Sequence, residues 1–172
     1  RRGVLHRRMT GLAEHHRWFA EHGNHDGRTG DVHDGLKGVH VLIGLSGPGV
    51  IRPDWLLDLA DDAAVFTLAN PVPEVMPDEV PPHVAVVATG RSDFPNQINN
   101  VLAFPGVFRG LLDARARRCP DGMEEAAARA LAGLVEDPRP ERILPGPFEP
   151  EVVPIVAAAV STSSLAAAPL PA

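Results

Sequence analysis

The sequence has no tyrosine, a single lysine (Lys37) and a single cysteine (Cys119) among 172 residues. Each scarcity excludes something. One cysteine rules out an intrachain disulfide and points to a reducing compartment. With no helper residue placed beside it, Cys119 reads as a small side chain in a helix linker rather than a nucleophile. With no tyrosine, and Lys37 alone in a Leu36-Lys37-Gly38 turn, the chain cannot supply a Tyr acid and a Lys base. Lys37 reads instead as a solvated loop charge. A net charge of −6 argues against a nucleic-acid partner gripped through its phosphates. No membrane span is expected either. The Val/Ala stretch from Glu151 to Leu170 is broken by Pro154 and the Ser161–Ser164 run. The chain opens at Arg1-Arg2-Gly3 with no starting Met and no signal peptide, so it is expected to be a piece of something longer.

What is present is a globular composition, 44% hydrophobic, and enough chain for one domain with a real core. Three apolar runs recur: Val39–Leu45, Ala63–Ala69 and Val84–Ala88. Each reads as a buried strand, and short helical or irregular connections join them. That pattern predicts a parallel α/β sheet with flanking helices. Gly3–Leu5 reads as the end of a further strand. Helices are predicted over 11–22, 31–37, 52–60, 107–116, 123–135 and 151–160. From Ser161 the composition is of low complexity, and a frayed tail over 161–172 is expected after a domain spanning 1–160. There are no internal repeats.

Ligands of parallel sheets bind beyond the carboxyl ends of the strands. Here all three ends carry small or polar residues: Ser46-Gly47, Asn70-Pro71 and Thr89-Gly90. Turn chemistry alone accounts for the glycines and prolines. It explains Asn70 and the Asn99-Asn100 pair less well, and a shared crevice is the alternative. The densest signal is the run from Gly90 to Gly106, where Asn96, Gln97, Asn99 and Asn100 fall within five residues. Carboxamides donate and accept hydrogen bonds while staying neutral. Such a run suits a loop entering a helix N-terminus, where free N–H groups attract an anion. It equally suits an Asn-rich helix cap with no ligand.

Other candidates are weaker. Seven of the eight histidines lie within residues 1–40, and His22-x-x-His25 has metal-ligand spacing. No cysteine or clustered carboxylate completes a recognisable ligand set, so no metal site is assigned. Arg91 and Asp93 form either a loop-bracing ion pair or, for Arg91, a substrate contact. Arg109 reads as structural.

Several blocks together resemble the NAD(P)-binding domain of bacterial-type malic enzymes. They are Ile43–Gly49, Leu68–Glu74, Gly90–Gly106, Phe108–Arg115 and Ile143–Phe148. The resemblance covers residues 36–160. It implies an α/β fold: a partial Rossmann-like parallel sheet that lacks its first βαβ unit. It implies oxidative decarboxylation of L-malate to pyruvate and CO2, with NAD or NADP and Mg2+ or Mn2+. It further implies a cytoplasmic enzyme that is homo-oligomeric at full length. By resemblance, Asn70 and Asn100, with Asn99 the close competitor, reach malate and the nicotinamide end. Gly44, Ser46 and Gly47 lie near the cofactor's ribose and pyrophosphate.

The family's Tyr acid, Lys base, metal carboxylates and Gly-rich phosphate fingerprint have no counterpart in this chain. No catalytic or metal-binding residue is therefore assigned within it, and the fragment is expected to be inactive alone. The alternative is a non-catalytic nucleotide- or protein-binding module derived from that domain.

Overall fold

Three short parallel strands form the centre of the computed structural model, which describes residues 3–166. In chain order the elements are α1 (Glu14–His22), α2 (Val32–Leu36), β1 (Val41–Gly44), β2 (Ala64–Thr67) and β3 (Val86–Thr89). Three helices follow: α3 (Phe104–Asp113), α4 (Met123–Ala132) and α5 (Val152–Ala166). The strand order is β1-β2-β3, and Gly44, Thr67 and Thr89 are register partners at the three carboxyl ends. The strand tips therefore lie side by side along one edge, as the sequence led us to expect.

One face of the sheet packs on the main core. Leu42, Val65 and Val87 meet a core of Leu36, Ile51, Leu56, Leu59, Val75 and Val84. Burying a Leu or Val side chain completely is worth about 1.5–3 kcal/mol. The other face of β1 departs from expectation. Its nearly continuous apolar run predicts burial on both sides, yet Val41 and Ile43 are 54% and 58% exposed. β1 is an edge strand of this sheet, and among the described residues no layer covers that side of it.

The helical half has its own core. Met123, Ala127, Val156 and Val160 pack with Val107, Leu111 and Leu131. Close approach of α3 to α5 depends on Gly106 and Gly110. A Cβ on Gly106 would fall 2.6 Å from Val156 Cβ, and one on Gly110 would fall 2.5 Å from the Ala157 carbonyl oxygen.

Three local expectations are corrected. Gly3–Leu5 is not a strand; Val4 N–H donates to the Gly30 carbonyl at 3.0 Å, and the Leu5 carbonyl accepts from Asn24 Nδ2 at 2.8 Å. The segment predicted as a helix over 52–60 is a 3-10 turn, Pro53–Asp58. The chain must leave it early, because Ala60 N–H pairs with the Val39 carbonyl at 3.1 Å. Finally, α5 continues through Ser161 to Ala166, so the polar run there is helical. Thr162 and Ser164 donate their hydroxyls to the carbonyls of Ala158 and Val160, at 2.9 and 2.8 Å. The rest of the expected tail, 167–172, lies outside the described residues.

Candidate functional site at the strand tips

Each strand ends where its neighbour ends, so the loops that follow leave from one edge. The loop after β1 carries Ser46 and Gly47, and the loop after β2 carries Asn70. The loop after β3 turns at Arg91–Phe94 and returns beside its own strand. Gln97 bridges Thr89 in parallel, with Ile98 N–H donating to the Thr89 carbonyl at 2.8 Å. Because that bridge is parallel, Asn99 and Asn100 run on past the carboxyl edge of the sheet. The topology thus brings Asn70 and the Asn99-Asn100 pair to the same edge.

Underneath the first two tips lies Glu74, which is completely buried. Its Oε1 accepts from Ser46 N–H at 2.7 Å and from the Ser46 hydroxyl at 3.4 Å. Its Oε2 accepts from Ala69 N–H at 3.1 Å. Burial pushes the Glu74 carboxyl up, but the converging donors of Ser46 and Ala69 pull it further down. The net position is below the usual carboxylate range, so the group is an anion at neutral pH. Gly44 makes room for it: a Cβ there would fall 2.8 Å from Glu74 Cδ. The Thr67 and Thr89 hydroxyls, buried in the same register row, have no hydrogen-bond partner among the described residues.

The third tip is held differently. Asn96 is 7% exposed and sits at φ 55°, a left-handed conformation that Asn tolerates. Its Nδ2 donates to the carbonyls of Val87 and Pro140, at 3.0 and 2.7 Å. Its Oδ1 accepts from Ile143 N–H at 2.8 Å. One side chain thereby ties the end of β3 to the Pro-rich connector ahead of α5.

The four carboxamides of the dense run consequently have distinct fates. Asn96 is a staple. Gln97 contributes its backbone to the bridge. Asn99 is half-buried and caps the 3-10 turn Asn100–Leu102, its Oδ1 accepting from Val101 N–H at 3.0 Å. Asn100 is exposed, as is Asn70, and neither side chain has a hydrogen-bond partner among the described residues. The Asn70–Pro71 peptide bond is cis.

The remaining candidates resolve into ordinary interactions. Arg91 pairs with Asp93 through two bonds of 2.8 and 2.6 Å and lies over the Phe94 ring. The pairing holds the Asp93 carboxyl below, and the Arg91 guanidinium above, its ordinary range. Arg109 pairs with Asp113 one helical turn away at 2.9 Å. Lys37 is not simply a solvated charge, since it pairs with Asp34 at 2.8 Å. His22 Nδ1 bonds the Trp18 carbonyl at 2.8 Å. Cys119 is an exposed free thiol.

Sequence reasoning missed the roles of Glu74 and Asn96. For Glu74 a signal existed: a lone acid between Pro73 and Val75, both of them buried.

The family model for the malic enzyme NAD-binding domain matches residues 1–164. The chain belongs to the malic enzyme family. The match reaches back through the first 35 residues, beyond the span on which the motif resemblance rests. The chain is 45% identical over 162 residues to an NAD-dependent malic enzyme of Geobacillus stearothermophilus, covering 93% of this chain and 34% of that protein. It is 44% identical over 147 residues to an NADP-dependent malic enzyme of Halomonas elongata, covering 84% and 34%. A crystal structure of an NAD-dependent malic enzyme from Thermotoga maritima superposes with a TM-score of 0.85 at 38% identity, covering 95% of this chain and 44% of that one. The chain thus spans about a third of the length of those two curated relatives. Three parallel strands with flanking helices are this malic-enzyme domain's share of an α/β, Rossmann-like sheet.

Proposed function

We propose that this domain serves, within a longer enzyme, the oxidative decarboxylation of L-malate to pyruvate and CO2 with NAD or NADP. The observation that carries the reading is the edge itself. Three strand tips end in register, and the two exposed amides beyond them, Asn70 and Asn100, are uncommitted within the chain. A neutral amide can donate to a malate carboxylate or pair with the nicotinamide carboxamide without adding charge. A bound nicotinamide would supply the hydride acceptor for malate C2, and Asn70 and Asn100 would hold the two reactants beside each other. The chain's own contribution is to orient the two reactants, and orientation is worth about 7–11 kcal/mol in favourable model systems.

Gly44, Ser46 and Gly47 are assigned to the cofactor's ribose and pyrophosphate. Space beside Gly47 supports this, since a Cβ there would meet no atom within 4 Å. Gly44 has a packing duty as well, because it admits Glu74. Asn99 is the lesser candidate for malate, its oxygen being used as a cap.

The divalent metal of the resemblance does not fit this chain. Among the described residues there is no group of three His, Cys, Asp or Glu able to hold one. Glu74 spends its carboxylate on backbone donors. On the family resemblance, metal binding and proton transfer are assigned to parts of the enzyme outside this chain. No helix among the described residues is long and apolar enough to cross a membrane. A cytoplasmic location and a homo-oligomeric full-length enzyme complete the reading, both on the strength of the family resemblance.

The test is steady-state kinetics of full-length enzyme carrying Asn70→Ala or Asn100→Ala, with NAD(P)H formation as the readout. Each variant is expected to lower kcat/KM for malate on the order of 100-fold without loss of fold. Normal kinetics in both would remove the site from this edge.

A further inference from the structure

Resting on that reading of the strand tips, we infer that Glu74 is a positioning residue. Its buried carboxylate fixes the cofactor loop after β1 against the substrate loop after β2, and so sets the place of Asn70 relative to Ser46 and Gly47.

The argument is geometric. The backbone ladder between β1 and β2 ends with Leu68 N–H donating to the Gly44 carbonyl at 3.2 Å. Beyond it, among the described residues, every hydrogen bond joining 45–49 to 69–76 runs to Glu74. Ser46 reaches the carboxylate with both its N–H and its hydroxyl. Gly49 N–H donates to the Glu74 backbone carbonyl at 3.1 Å. The second carboxylate oxygen takes Ala69 N–H, adjacent to Asn70. One rigid acceptor therefore spans both loops, and its partners are all N–H or O–H donors. A glutamine of the same shape would aim an NH2 at one of those donors and break the span. Gly44 belongs to the same device, because any Cβ there displaces the carboxylate. The anion touches no face that solvent reaches, which separates its role from that of the exposed Asn70 amide it aligns.

The experiment uses the full-length enzyme and four variants: Glu74→Gln, Gly44→Ala, and Asn70→Ala and Asn100→Ala as references. Three quantities are measured: melting temperature, NAD(P)H affinity by fluorescence titration, and kcat/KM for malate per folded molecule. Glu74→Gln is expected to lower kcat/KM between about 10- and 100-fold while cofactor affinity changes less than about threefold. Gly44→Ala, read at saturating cofactor because Gly44 is also assigned to the cofactor, is expected to lower kcat/KM for malate over the same range. A merely structural role would lower the melting temperature and leave kcat/KM per folded molecule unchanged.

If both asparagine variants are normal, the site reading fails, and the positioning role fails with it. If they are crippled while folded Glu74→Gln stays within about twofold of wild type, the positioning role alone is overturned. If Glu74→Gln does not fold, Gly44→Ala decides. A folded variant with turnover of malate impaired at saturating cofactor supports the role, and any other result, failure to fold included, overturns it.

Discussion

The three tips of one sheet are locked by two buried side chains of different charge. Under the β1 and β2 tips sits Glu74, which meets only donors: two backbone N–H groups and a hydroxyl. Beside the β3 tip sits Asn96, which meets two carbonyls and one N–H. A carboxylate is acceptor-only, whereas a carboxamide both donates and accepts. The backbone presented at each place selects the side chain. A charge is tolerated under the first pair of tips because every hydrogen bond there points at it. At the third tip a charge would face two carbonyl oxygens. Both devices leave the neighbouring exposed amides, Asn70 and Asn100, free of structural duty.

Truncation breaks the comparison most severely. Glu74→Ala removes the acceptors of the part-buried Ser46 and Ala69 N–H groups and opens a void, an expected loss of about 3–5 kcal/mol. Asn96→Ala strands one N–H and two carbonyls, an expected loss of about 2–4 kcal/mol. Chemical denaturation of this chain, with midpoints converted at a common slope, gives both values. Losses below about 1 kcal/mol in both would show that neither residue locks its tip.

That contrast also explains what was legible in the sequence. The three strands were, because each is an apolar run bounded by turn residues, and local pattern determines both. The shared edge followed from parallel topology. Exposure of Val41 and Ile43 was not legible, because it depends on which layers stand over an edge strand. Glu74 bonds to Ser46, 28 positions earlier in the chain, and Asn96 to residues 44 and 47 positions later. Their partners are mostly backbone atoms, which every residue carries and no motif announces. The carboxamide run posed a choice between anion site and cap. Asn99 answers as a cap and Asn96 as a staple, while the side chains of Gln97 and the exposed Asn100 have no hydrogen-bond partner among the described residues.

Exchanging the charge sharpens the comparison, because the two sites should respond to pH with opposite sign. The Glu74 carboxyl lies below its ordinary range when folded. Its stabilisation is therefore complete above that ordinary range and is lost as pH falls through the lowered folded value. Glu74→Gln should abolish this part of the acid sensitivity and weaken the fold at neutral pH. Asn96→Asp should do the reverse. A carboxylate facing the Val87 and Pro140 carbonyls favours its protonated, donating form, which raises the folded pKa. That variant is then most stable below the ordinary carboxylate range and loses stability as pH rises. Denaturation midpoints from about pH 3 to about pH 7 should diverge by about 1–3 kcal/mol between the two variants. Parallel pH curves would show that charge is not what distinguishes the two locks.

The smallest expected effect separates the adjacent asparagines. Asn99 spends its oxygen on Val101 N–H at the start of a 3-10 turn, while Asn100 spends nothing within the chain. Replacing an N-cap asparagine by alanine costs about 0.5–2 kcal/mol. Asn99→Ala should therefore destabilise this chain by roughly 1 kcal/mol. In the full-length enzyme it should change kcat/KM for malate less than about fivefold. Asn100→Ala should do the opposite, leaving the denaturation midpoint unmoved and turnover impaired. If Asn99→Ala proved the more damaging to turnover, the cap would be incidental, and its amide nitrogen, not that of Asn100, would be the group turned toward malate.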